Sequence, residues 1–239
     1  MNFANVTTVP KKGSKLEPSN ERGIFRVELV RSILMRLLYN SKYPVIDKKM
    51  SDCQMGARKG KGCRSNIWIL NGIIHETLKN RNMKPVLLQF YDYKQMFDSI
   101  NLKEAISDIY EYGVNDDNLQ LIYKANEQIH MAVKTPGGLT ERQIIRNCVL
   151  QGDTWGSLLA SAQVDSIAKD VEEAGLGYLY KDSLSVSLLG LVYDVTGVTE
   201  AGFKAQCNFK CKSSRKRPAI WCQRIMKMQS TLNLWLMSG

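Results

Sequence analysis

The short apolar run Val86–Phe90 leads into an acid, Asp92, two residues further on. A run of that length reads as a buried strand, and it delivers one carboxylate at its end. Two more features follow in order. Gln151-Gly152-Asp153 opens a stretch of small residues with helical character, and a second apolar run, Val186–Val192, ends in Tyr193-Asp194. A strand acid, a Gln-Gly turn into a helix and a second strand acid constrain the fold more than any other feature. Carboxylates from two strands can converge on one point when the strands share a sheet.

At 239 residues the chain can bury a sizeable core, in one domain or two lobes. No apolar run approaches the roughly 20 residues that span a bilayer, so no membrane association is expected. The first 20 residues carry Lys11, Lys12 and Lys15 and no apolar signal core, which argues against secretion. Six irregularly spaced cysteines fit reduced thiols better than a disulfide scaffold. The expected setting is intracellular and reducing. The net charge of +10 is unevenly spread: +11 over residues 1–89, −9 over 90–200 and +8 over 201–239. Basic surfaces suit phosphate backbones and clustered carboxylates suit metal ions. A merely uneven solvated surface explains the charge equally well.

Along the chain, residues 1–19 read as a flexible lead-in, with Pro10, Gly13, Ser14 and Pro18 among lysines. Ile24, Val27, Val30, Ile33, Leu34, Leu37 and Leu38 recur at helical spacing, which predicts an amphipathic helix over 24–39. Gly56, Gly60 and Gly62 stand among Arg58, Lys59, Lys61 and Arg64 in a loop over 51–64, where glycine lets backbone approach a ligand closely. A helix over 67–78 packs Ile67, Leu70, Ile74 and Leu78. Strands are expected at 86–91, 131–134, 144–150 and 186–192, the last followed by a turn at Gly197. Further helices are expected at 102–110, 117–125 and 154–174. The pattern predicts an α/β (α+β) fold with an antiparallel sheet backed by helices.

These residues resemble the reverse transcriptases of retroelements, of the non-LTR, LINE-like kind, over roughly residues 20 to 206. Phe90-Tyr91-Asp92 with Met96-Phe97-Asp98 resembles motif A, F-x-D-x-x-x-A-F-D. Gln151-Gly152-Asp153 with Gly156-Ser157-Leu158-Leu159 resembles motif B, Q-G-x-x-x-S-P-x-L. Leu189 to Asp194 stands where motif C, x-x-D-D, belongs. Asn20 to Tyr39 and Gln54-Met55-Gly56-Ala57-Arg58 resemble two upstream blocks, the second usually Q-x-G-F-R. The resemblance implies a right-hand polymerase palm with partial fingers. It divides the chain into a lead-in (1–19), a basic fingers-like lobe (20–89), a palm-like core (90–206) and an atypical basic tail (207–239). The implied reaction is RNA-templated DNA synthesis by nucleotidyl transfer, with RNA template, DNA primer and deoxynucleotides as partners and two Mg²⁺ ions as cofactors. A non-catalytic, nucleic-acid-binding remnant is the alternative.

The resemblance also assigns residues. Two Mg²⁺ ions roughly 3.5–4 Å apart need carboxylates converging from different strands, which makes Asp92 and Asp194 the catalytic and metal-binding pair. Asp92 could instead cap a following turn, the role that suits Asp98. Phe97 stands where the family carries an aromatic gate against the 2′-hydroxyl; a plain core phenylalanine is the alternative. Gln151 and Gly152 stand at the turn that packs on the nucleotide, or simply open a helix. Arg58, Lys61 and Arg64 suit the grip on an incoming triphosphate, or form a solvated basic loop.

Motif C departs from the family. Tyr193 replaces the first aspartate, and a phenol of pKa about 10 is a poor Mg²⁺ ligand at neutral pH. Neighbouring strand residues face opposite ways, so Asp194 takes that place only through a bulge or a register slip. Activity is therefore expected to be weak or absent. Other signals carry less: Cys207, Cys211 and Cys222 lack a fourth zinc ligand, and His75-Glu76 has no second histidine four positions on. The tail has no acids and no recognisable thumb pattern. Codons for Ser214 to Gln223 can be chosen that, read one base later, encode AEKGLQFGA, a string resembling what the family carries after motif C. That suggests a frameshift.

Overall fold

A computed structural model describes residues 2–11, 20–79, 86–91, 96–115, 117–146, 149–173, 175, 177–180, 184–192, 194–200 and 232–235. In chain order these form β1 (Phe3–Pro10), β2 (Glu21–Val27), α1 (Leu29–Lys49), α2 (Cys63–Lys79), β3 (Val86–Tyr91), α3 (Met96–Ser99), α4 (Leu102–Glu111), α5 (Asp117–Glu127), β4 (Gln128–Thr135), β5 (Gly138–Leu139), β6 (Gln143–Arg146), α6 (Gly156–Glu173), β7 (Tyr178–Tyr180), β8 (Leu184–Val186), β9 (Leu188–Leu191), β10 (Asp194–Glu200) and β11 (Leu232–Trp235). The fold is mixed α/β, as expected. It divides into two compact units, each discontinuous: unit 1 holds 1–49 and 95–162, and unit 2 holds 50–94 and 163–239. The linear lobes 20–89 and 90–206 are therefore each split between units.

Unit 1 carries a sheet in the order β2-β1-β4-β5, with β6 also paired to β4. β1 runs antiparallel to β2, with Val6 opposite Phe25, and parallel to β4, with Phe3 opposite His130. Phe3–Pro10 is thus a strand and not part of a flexible lead-in. Its β-branched run Val6-Thr7-Thr8-Val9 suits a pleated surface, and Ala4 and Val6 alternate into the interior. The helix expected over 24–39 is likewise corrected. Residues up to Val27 pair with β1, and the helix begins at Leu29 and continues through Pro44 to Lys49. Its buried side chains are Arg31, Met35 and Ile46, while Ile33 and Leu37 are exposed. Periodicity found the helix but assigned the wrong face inward. Ala4, Ile129 and Leu150 form a core against which Phe25 and Val27 pack. Trp155 is fully buried; its indole N–H donates to the Met35 carbonyl at 3.0 Å, and its ring meets Tyr39 edge-on.

Unit 2 carries a sheet in the order β11-β3-β10-β9, beside a β7-β8 hairpin. All pairings in the four-stranded sheet are antiparallel. Ile73 from α2 packs with Val86, Leu88, Leu189 and Val198 from the sheet and with Tyr178 and Val186 from the hairpin. Of the residues expected inward, Leu70 and Ile74 pack against this core as partly buried side chains, while Ile67 and Leu78 are exposed; Ile73 and Thr77 are the buried ones. The expected strand 186–192 is interrupted at Ser187, between β8 and β9. The chain reverses at Val192, and Gly197 lies within β10. Gly197 suits that place because the Tyr91 ring lies 3.3 Å from where a Cβ would stand. Within the tail, Leu232–Trp235 adds a strand to the free edge of β3. Among the described residues no helix is long and apolar enough to cross a membrane.

Candidate functional site

In unit 2 the two acid-bearing strands are neighbours. Val195 of β10 stands opposite Tyr91, the last residue of β3, and Asp194 stands opposite Leu191 of β9. Asp194, exposed, therefore opens β10 at the end of the sheet where β3 finishes. Asp92 and Tyr193 lie outside the described residues. The shared sheet that the two-strand pattern demands is present, and the hairpin tip falls between Leu191 and Asp194.

That tip is strained and braced. Val192 has φ of 59°, a left-handed conformation that a β-branched residue adopts at a cost of about 1–3 kcal/mol. The Gln54 side chain, only 1% exposed, supplies the compensation. Its Oε1 accepts from the backbone N–H groups of Val192 at 3.1 Å and Gly56 at 2.8 Å. Its Nε2 lies 3.4 Å from the Val192 carbonyl. Around it, Met55 N donates to Gly190 O and Gly190 N to Cys53 O, both at 2.8 Å. Asn66 of α2 adds a bond to Gly190 O at 3.2 Å. A glutamine amide thus behaves as a short extra strand clamped to the hairpin. Gly56 permits the clamp, because a Cβ there would lie 2.0 Å from Val192 N. The close approach expected of this glycine is made to the chain's own hairpin.

The basic loop divides by role. The Arg58 side chain is 6% exposed, and its Nη1 donates to the carbonyls of Ser51 at 2.6 Å and Gln54 at 3.2 Å. It braces the Gln54 loop. Lys61 pairs with Asp52 at 2.6 Å and, through that hydrogen bond, holds the Asp52 carboxyl below its usual range. Arg64 is exposed in the first turn of α2.

In unit 1, Gln151 and Gly152 form the turn before α6. Phe25 N donates to Gln151 O at 3.1 Å. Gly152 has φ of 102°, and a Cβ there would lie 3.3 Å from Phe25 O. This glycine is required by backbone conformation as well as by packing. Phe97, half-buried on α3, places its ring 3.6 Å from the Cβ position of Gly156. The Phe97 ring therefore meets the start of α6. Asp153 is buried and ion-paired with Arg31 at 2.8 Å. The same guanidinium also donates to Asn126 Oδ1 at 3.0 Å and to the Ala125 carbonyl.

Sequence reasoning overlooked Arg31 and gave Gln54 no role. A lone cation among the apolar helix residues Val30, Ile33 and Leu34 was the available signal for Arg31. For Gln54 the signal was its place two residues before Gly56. Each acts on backbone that is distant in sequence, which no local pattern reveals.

A two-metal centre needs convergent carboxylates. Among the described residues Asp194 is the one carboxylate at this sheet end, and no group of three His, Cys, Asp or Glu side chains converges. The described donor set does not make such a centre by itself.

Cys53 lies beside this loop. Burial, reinforced by a hydrogen bond from Sγ to Glu172, pushes its thiol up to about 12. Cys63 is exposed. Because the thiolate is the nucleophile, iodoacetamide at pH 8 is expected to label Cys63 well before Cys53 in the native chain. Peptide mapping after a timed quench checks this, and equal rates would contradict the protonated, buried thiol. The linkage has a definite sign. The folded chain holds the Cys53 proton more tightly than the unfolded chain does, so this contribution to stability is present below pH 9 and is lost as pH rises towards 12.

No family model matches the sequence, and no curated protein matches it. Solved structures do match. Apo telomerase from Candida tropicalis, truncated from its C-terminal domain, superposes with a TM-score of 0.65 at 14% identity, covering 100% of this chain and 51% of that one. Telomerase from the same organism in complex with a fragment of telomeric RNA gives 0.64 at 13% identity, covering 100% and 41%. A further apo telomerase structure gives 0.57 at 14%, covering 84% and 39%. The chain spans about half or less of the length of these structures. These likenesses show the fold alone: a mixed α/β fold similar to that of the telomerase structures, consistent with a polymerase palm.

Proposed function

We propose that this chain is the fingers-and-palm portion of a retroelement reverse transcriptase of the LINE-like kind. Its inherited reaction is RNA-templated addition of deoxynucleotides, and its activity is weak or lost. The observation that carries this reading is the β3–β10 register, with Val195 opposite Tyr91, which sets the motif A and motif C strand ends side by side. The strained, glutamine-braced hairpin tip supports it, since strain of this kind clusters at functional sites. An RNA template is the partner that fits, in keeping with the telomeric RNA fragment bound by a structural neighbour and with the +11 balance of residues 1–89. Asp92 and Asp194 would hold Mg²⁺, which supplies charge stabilisation at the transferring phosphoryl group. Gln151 and Gly152 would contact the nucleotide, and Phe97 would limit the space at its sugar. Lys61 and Arg64 remain candidates for phosphate contact, and Arg58 would act by shaping the loop.

Tyr193 favours the second reading, a nucleic-acid-binding remnant that no longer polymerises. The test is a Mg²⁺ titration and a primer-extension assay on a primed RNA template, using the unmodified chain and Tyr193→Asp. The unmodified chain is expected to extend little or not at all, and Tyr193→Asp to bind Mg²⁺ more tightly. Metal binding is the sharper readout, because the chain spans about half of its neighbours' length. Robust extension by the unmodified chain would show that Asp92 and Asp194 suffice and would end the reading of decay. Identical Mg²⁺ binding by the two forms would remove the metal site from this hairpin.

A further inference from the structure

Helix α2 of unit 2 has two unlike faces. One packs Ile73 and Thr77 inward. The other carries, at helical spacing, Arg64, Trp68, Asn71, His75 and Lys79, all exposed. Trp68 is 81% exposed, more than any other large apolar side chain among the described residues. Tryptophan is seldom left in water, so an indole this open in a polar stripe calls for a partner. The surrounding charge indicates which. From residue 53 to residue 75 the sequence has four cations and no acid, and Lys59 and Arg64 are exposed. Lys61 is paired with Asp52 and Arg58 is turned onto its own loop, which leaves Lys59 and Arg64 as the exposed cations near the ring; exposed cations beside a flat aromatic ring are complementary to a phosphate backbone with unstacked bases. Exposed Ile67 and Leu78 add apolar surface on this helix, but along the stripe itself the neighbours of the ring are polar. On this stripe Trp68 has polar neighbours one turn away on either side, Arg64 and Asn71.

From these observations we propose that the outer face of α2 is a stacking platform for a single-stranded nucleic-acid segment. A base lies on the Trp68 indole, Arg64 and Lys59 contact the flanking phosphates, and Asn71 and His75 offer hydrogen bonds to base edges along the stripe. From Arg64 to Lys79 the helix rises about 22 Å, enough to track several nucleotides. The proposal rests on the reading of this chain as nucleic-acid-templated. It deepens that reading by naming where unpaired template is held. Trp68 acts here by binding and takes no part in the chemistry.

The test uses the full chain, a fluorescein-labelled single-stranded oligouridylate and an RNA duplex of equal length, followed by anisotropy at low and physiological salt. Because Trp68 is so exposed, its replacement leaves the core intact; circular dichroism of each variant verifies this. Trp68→Ala is expected to weaken single-strand binding by roughly five- to a hundredfold. Trp68→Phe should retain most of the affinity, and neither change should alter duplex binding. Arg64→Gln should reduce the steepness of the salt dependence. If Trp68→Ala binds the single strand as tightly as the unmodified chain while binding stays salt-dependent, the platform is overturned and the proposed function survives. If the unmodified chain binds no RNA even at low salt, both fall. If Trp68→Ala instead changes the sedimentation coefficient, the face belongs to a second copy of the chain, which also overturns the platform.

Discussion

Replacing Gly56 with alanine should unfold or displace the β9–β10 hairpin at a cost of about 3 kcal/mol or more, near the upper end for overpacked sites. The added Cβ would stand 2.0 Å from Val192 N, 2.6 Å from Val192 Cγ2 and 2.8 Å from the Leu191 carbonyl carbon. Two of those atoms are backbone, so no rotamer change relieves the clash. The hairpin must retreat from the Gln54 loop, which breaks the bond that Val192 N donates to Gln54 Oε1. Val192 then loses the contacts that offset its positive φ. Urea unfolding and amide exchange at Val192 and Asp194 give the readout. Gly72→Ala is the matched control: it lies inside α2 with nothing within 4 Å of its Cβ position. Relative to glycine, alanine there should stabilise by about 0.5–1 kcal/mol. Equal effects from the two changes would show that the close approach of Gly56 does not govern stability.

Arg31→Met should destabilise unit 1 by about 3–5 kcal/mol, the range for breaking one side of a buried ion pair. Both side chains of the Arg31–Asp153 pair are 2% exposed. Without the guanidinium, Asp153 keeps a buried charge, and Asn126 Oδ1 and the Ala125 carbonyl lose a donor. The Gln151-Gly152 turn immediately precedes Asp153, so the same change should loosen the turn before α6. Adding Asp153→Leu should recover about half of the loss by removing the stranded charge, since apolar replacement of a whole buried pair is often tolerated. Urea midpoints of the two single variants and the double variant, read by circular dichroism, form the cycle. A loss below about 1 kcal/mol for Arg31→Met would show that the turn is held by other contacts.

These two sites mark where sequence reasoning succeeds and where it stops. The Val86–Tyr91 strand, the helices over 102–110 and 117–125, and the Gln-Gly turn into α6 are local: each depends on a run of residues whose pattern is visible without neighbours. The adjacency of β3 and β10 was expected from the resemblance, because a palm brings those two strands together. The first strand was missed because its partners, β2 and β4, come later in the chain, and its β-branched run stands beside prolines and lysines that suggest a loop. The inward faces of α1 and α2 were misjudged for a related reason. Both helices carry apolar residues on more than one side, and periodicity ranks positions by hydrophobicity alone. What is buried in α1 includes Arg31, chosen by a partner 122 positions away.

By itself the sequence determined the class of fold and the order of its motifs along the chain. Those follow from short-range pattern and residue type, which are properties of the chain before it folds. Only the tertiary structure decided that Gln54 clamps the hairpin 138 residues away, that Arg58 spends its guanidinium on its own loop, and that Trp68 is left facing water. Those outcomes depend on which backbone carbonyls, amides and apolar surfaces arrive together when distant segments pack. A buried polar group takes the partner that packing brings to it.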